Sequence, residues 1–79
     1  MQLQLINGQF STKEVTELLS KLIQVKIDYH EQKIKNSDSE EDIKFREHKI
    51  KSLQNHFQSF REASKDKSFI SLDGHINLK

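Results

Sequence analysis

The apolar positions divide the chain into a long middle with helical periodicity and two short ends that alternate. Apolar or aromatic residues recur at Val15, Leu18, Leu22, Val25 and Tyr29, and again at Ile43, Ile50, Leu53, Phe57 and Phe60, with Arg46 at the step between Ile43 and Ile50. Both series follow the 3-4 spacing of a coiled-coil seam. At the ends, Leu3 and Leu5, Ile70 and Leu72, and Ile76 and Leu78 alternate with polar residues, the pattern of half-buried strands. The expected fold is α+β and mostly α, in the order β-α-α-β-β. An antiparallel two-helix hairpin spans about residues 11–36 and 38–64, and a small antiparallel sheet spans about 2–6, 68–72 and 76–79, all in one domain over 1–79.

Local signals sharpen these boundaries. Ser11-Thr12-Lys13-Glu14 is a capping box that opens the first helix, with Phe10 placed to staple onto Val15. Ser37-Asp38-Ser39-Glu40 offers a second box for the second helix, with Ser39 as a competing cap, and Asn36 is a candidate left-handed stop between the helices. The chain has only two glycines and no proline, so little inside it breaks a helix. Both glycines follow an Asn or Asp, at Asn7-Gly8 and Asp73-Gly74, and both dipeptides are turn signals. A three-residue loop from Asp73 to His75, with Gly74 left-handed, would pair Leu72 with Ile76 and Ile70 with Leu78 and put all four on one face.

A short connection makes the helices antiparallel neighbours. Across it, Val15/Phe60, Leu18/Phe57, Leu22/Leu53, Val25/Ile50, Tyr29/Arg46 and Gln32/Ile43 share one numerical midpoint, between Ser37 and Asp38. This register predicts large-to-small layers near the open end and Arg46 lying over the Tyr29 ring near the bend. Leu3/Leu72 and Leu5/Ile70 share the same midpoint, which predicts the first strand pairing. Helix 1 carries a second stripe, Leu19, Ile23, Ile27, His30 and Ile34, roughly 120° around from the first. In that register the second stripe is left open along most of its length, and an exposed isoleucine ridge marks a protein–protein contact. Two copies packing through Leu19, Ile23, Ile27, His30 and Ile34 would form a four-helix bundle, with the closed two-fold symmetry commonest among oligomers.

Charge narrows the field of functions. Of the 79 residues 32% are charged, yet the net charge is +1, so no strong field steers the chain toward nucleic acid or anionic lipid. Much of this charge is arranged acid-before-base at i, i+4, in Glu17/Lys21, Glu31/Lys35, Glu40/Lys44, Asp42/Arg46 and Glu47/Lys51, a pattern that supports helices. There is no cysteine, hence no disulfide framework and no thiolate metal site, and this fits a reducing compartment. No signal peptide or membrane-spanning run is expected, which places the chain in the cytoplasm. The acid–histidine pairs His30-Glu31 and Glu47-His48 stand in mirror order around the bend, but His48 falls on the outer side of helix 2 and the histidines do not converge. Without convergent ligands or an acid–base pair in a cleft, neither a metal, a cofactor nor an enzymatic activity is expected.

Ile6-Asn7-Gly8-Gln9-Phe10-Ser11, followed by Glu14, Lys26-Ile27 and His30, resembles small uncharacterised bacterial proteins that open with an Asn-Gly-x-Phe-Ser turn leading into a helical hairpin. The likeness covers roughly the first 35 residues and implies no activity, ligand or site residue. The expected function is therefore a small non-catalytic interaction or scaffold module, self-associating as a homodimer through helix 1 or binding another protein there. A second reading is a regulator or accessory factor that binds nucleic acid through Lys44, Lys49, Lys51, Arg61, Lys65 and Lys67 of helix 2 and its exit.

Overall fold

The computed structural model covers residues 1–79 and has the order β1 (Gln2–Ser11), α1 (Thr12–Lys35), α2 (Glu40–Ser64) and β2 (Phe69–Asn77). The α+β class and the helical hairpin agree with the sequence pattern. Helix α1 starts at the expected cap: Ser11 Oγ accepts from the Glu14 amide at 3.1 Å and donates to Glu14 Oε1 at 2.8 Å. At α2 the competing cap prevails, with Ser39 Oγ accepting from the Asp42 amide at 3.2 Å. Ser37 instead orders the connection, its Oγ accepting from the Ser39 amide at 3.2 Å. Asn36 ends α1 at φ −99 rather than in a left-handed conformation.

The sheet corrects the expected third strand. There is no turn at Asp73-Gly74; β2 runs straight through it, and the two strands form one long antiparallel ribbon. The two turn-like dipeptides face each other inside this ribbon, with Asn7 opposite Asp73 and Ile6 opposite Gly74. Together they form an irregularity rather than a reversal. Leu5 is an extra residue between Gln4 and Ile6, and Gly8 takes a φ of +137, the one positive value in the chain. Gly74 lets Ile6 approach closely, since a Cβ there would lie 3.2 Å from Ile6 Cγ2. Gln4 Nε2 bridges the bulge, donating to the Ile6 carbonyl and to Asp73 Oδ1, each at 3.0 Å.

The bulge decides what the ribbon presents. Residues directly opposite each other share a face of a sheet. One face therefore carries Phe10/Ile70, Gly8/Leu72, Ile6/Gly74 and Leu3/Ile76, while the other carries Gln9/Ser71, Asn7/Asp73, Gln4/His75 and Gln2/Asn77. Without the extra residue, Leu3 would fall on the polar face. The expected midpoint pairings Leu3/Leu72 and Leu5/Ile70 are replaced by a register several residues longer, which lets β1 pair along its whole length.

The hairpin seam is also rotated relative to expectation. The stripe facing α2 is the second one. Arg46 Nη1 lies 3.1 Å from His30 Nδ1, Ile34 shares a cleft with Glu47 and Ile50, and Ile27 is only 9% exposed. The stripe expected in the seam stands largely outside it, with Leu22 50%, Val25 66% and Tyr29 55% exposed. At the open end, α1 offers the small Thr16 and Ser20 to Phe57, all lining one cleft, and the Phe57 ring stacks parallel to Phe60 at 6.4 Å.

The ribbon packs on the open end of α1. Phe10 and Val15 adjoin as the staple requires, and Val15 is fully buried. The Thr12 amide donates to the Ser68 carbonyl at 3.0 Å, and the Thr12 hydroxyl donates to the Lys67 carbonyl, tying the start of α1 to the entry of β2. No third layer covers the other side. The molecule measures 45 × 34 × 15 Å, and its radius of gyration is 15.2 Å, against roughly 12 Å for a compact domain of this length.

Candidate interaction surface

The stripe predicted to stay open, Leu19, Ile23, Ile27, His30 and Ile34, is largely covered within the single chain: Ile27 is buried, His30 meets Arg46 of α2 and Ile34 shares a cleft with Ile50, while Leu19 faces the ribbon. It offers less open surface to a second copy than expected. The stripe beside it is more exposed. Leu22, Val25 and Tyr29 continue along α1 from Leu18, and next to Leu18 the apolar face of the ribbon opens a groove against the helix. Leu5, Ile6, Leu18, Leu19, Leu22 and Leu72 line it, with a volume of about 410 Å³. The bulge makes this lining possible, because it brings the successive residues Leu5 and Ile6 to the same cavity. Beyond the helix, Met1, Leu3, Ile76 and Leu78 extend the apolar face of the ribbon into solvent.

The exposed area is large for the mass. The chain exposes 6538 Å² at 9.3 kDa, where a folded monomer of that mass exposes about 5,000 Å². The excess, roughly 1,500 Å², exceeds the area of about 800 Å² per partner in a standard interface and falls in the range of obligate homodimers.

Charges gather near the bend, at the far end of the stripe. Arg46 and Lys33 lie 5.8 and 5.7 Å from the centroid of the Tyr29 ring, and Tyr29 in turn meets His30 edge-on. The expected placement of Arg46 over Tyr29 thus survives the rotated seam. Arg46 is anchored by Asp42, with Nε 3.4 Å from Oδ2. The His30 pKa is lowered from 6.5, first by burial and then by the nearby charges of Arg46, Lys26 and Lys49. At neutral pH its imidazole is uncharged, and the Nδ1 lone pair is free to accept from the guanidinium.

Most of the basic residues proposed for nucleic acid have a neighbour within the chain. Lys44 pairs with Glu40 at 3.9 Å and Lys65 with Glu62 at 3.6 Å. Lys49 lies over the Phe45 ring and Arg61 over Phe57. Lys51 lines the cleft that holds Glu31 and Glu47, and Lys67 belongs to the link into β2. Around α2, Lys44, Lys51, Arg61 and Lys65 fall within about 100° of one another, and Lys49 lies about 140° from Lys44. Of the five expected helical ion pairs, Glu40–Lys44 and Asp42–Arg46 form. No group of three or more His, Asp or Glu side chains is placed to hold a metal ion, and no helix is long and apolar enough to cross a membrane.

The residues that sequence reasoning placed wrongly, Leu22, Val25 and Tyr29, carried a visible signal in their 3-4 spacing; what was missing was which stripe α2 covers. The groove residues Leu5 and Leu72 depend on a strand register that no local signal gives. Comparison of the chain with protein-family models, with curated proteins and with solved structures finds no match.

Proposed function

We propose that this protein is a small non-catalytic protein–protein interaction module that self-associates through helix α1, using the face of Leu18, Leu22, Val25 and Tyr29 rather than the Ile27 stripe. The observation that carries this reading is the set of large apolar side chains left exposed on α1 and the ribbon, Leu22, Val25 and Tyr29 with Leu3, Leu5 and Ile76. A chain this small has a thin stability margin alone. Full burial of an exposed Leu or Val contributes about 1.5–3 kcal/mol; Leu22 and Val25, 50% and 66% exposed, stand to gain about half to two-thirds of that on association, burial that the single chain lacks.

Sedimentation equilibrium tests the reading. The parent chain should run at twice 9.3 kDa. Val25→Lys should run at the monomer mass with unchanged helical circular dichroism, because Val25 lies outside the hairpin seam. A parent chain that stays monomeric at high concentration refutes self-association.

A further inference from the structure

Two features of the open face of α1 are complementary to each other. At the level of Leu18 there is an apolar groove, lined by α1 and the ribbon. At the level of Tyr29 there is a large aromatic side chain, half exposed, with its ring flanked by Arg46 and Lys33. Both lie on the same stripe, about 16 Å apart along the axis. A hole and a knob on one face, separated along one helix, are the requirement for an isologous pair.

We infer that two copies pack antiparallel, α1 on α1, with Tyr29 of each inserted into the Leu5–Leu18–Leu72 groove of the other. This rests on the self-association proposed above and specifies its geometry. A two-fold axis perpendicular to α1, midway between Leu22 and Val25, brings Leu22 of one copy level with Val25 of the second, and Leu18 level with Tyr29. Every exposed apolar residue of the stripe then has an apolar partner. The second copy is the favoured occupant for two reasons. The groove and the side chain that fits it are on the same molecule, and the surplus of exposed area matches what a dimer of this size buries. A volume of about 410 Å³ admits an aromatic ring, and the phenol hydroxyl reaches water or polar backbone at the rim, as buried tyrosines require.

The chain carries a built-in reporter, since Tyr29 is its only tyrosine and there is no tryptophan. Acrylamide quenching of tyrosine emission, measured beside sedimentation on the same full-length sample, separates the possible outcomes. The expected result is a dimer in which quenching is several-fold weaker at high concentration than after dilution to monomer. Tyr29→Ala should weaken the dimer roughly 30-fold, the loss typical of a truncated aromatic hot spot, while keeping the helical circular dichroism of the parent. A dimer whose tyrosine is as quenchable as in the monomer, or whose dissociation constant is unmoved by Tyr29→Ala, overturns this geometry and leaves self-association standing. A monomer at every concentration overturns both.

Discussion

Arg46 Nη1 and His30 Nδ1 meet at 3.1 Å across the hairpin, joining the two helices close to the bend. The contact needs a neutral imidazole, because a protonated ring has no lone pair to accept from the guanidinium. Burial, Arg46, Lys26 and Lys49 all act against the proton, and Asp42 is already engaged by Arg46.

The pH dependence follows from that environment. His30 has a folded pKa below its unfolded value of 6.5, so between the two values the unfolded chain binds more protons and stability rises with pH. The contribution of His30 is fully present above 6.5, declines as pH falls through that value, and levels off below the folded pKa. Urea midpoints measured from pH 7.5 down to 5 should fall for the parent. In His30→Gln the fall should be shallower; an unchanged slope would show that the histidine is not the source.

The rotated seam makes a paired prediction. Ile27 lies in the hairpin seam and Val25 does not, although the two are only two residues apart. Ile27→Ala should destabilise the fold by roughly 2–5 kcal/mol, the range for truncating a buried isoleucine. Val25→Ala, measured at a concentration where the chain is monomeric, should cost under about 1 kcal/mol. Urea denaturation of both variants checks this, and equal costs would contradict the seam.

Gly8 provides a test of the ribbon. Its φ of +137 lies where L-residues with a side chain are strained, so Gly8→Ala should cost on the order of 1–3 kcal/mol. For a domain of this size each kcal/mol corresponds to a shift of about 4–8 °C in melting temperature. Differential scanning calorimetry should therefore show a clear drop; no drop would mean that the ribbon takes a different register at Asn7–Gly8.

The two helices, their caps and their antiparallel pairing were legible because each rests on local chemistry: Ser11 with Glu14, Ser39 with Asp42, and 3-4 spacing interrupted only at Arg46. The seam was not, for a geometric reason. Val25/Ile50 centre between Ser37 and Asp38, whereas the contact actually made, His30/Arg46, centres on Asp38, so the two registers differ by one residue in their sum and spacing alone does not choose between them. What separates them is which side chains meet at the open end, where Thr16, Ser20 and Phe57 line one cleft, and that is a three-dimensional fact. The ribbon was partly legible in its alternation. Asn7-Gly8 and Asp73-Gly74 each read as a reversal in isolation, but as cross-strand neighbours they need not turn the chain, and that neighbourhood is a non-local fact. The candidate surface inherits both misplacements, since it lies where the wrong stripe and the bulged register meet.

The 15 Å thickness of the molecule has a thermal consequence. In a single layer almost every side chain keeps part of its hydration after folding, so unfolding one isolated copy exposes little additional apolar surface. Its heat-capacity increment falls below the usual ~12–15 cal/mol/K per residue, and its stability curve is correspondingly flat. Such a chain loses little on cooling and melts over a broad range, and only when its open face is covered would the sharper transition of a fully enclosed core appear.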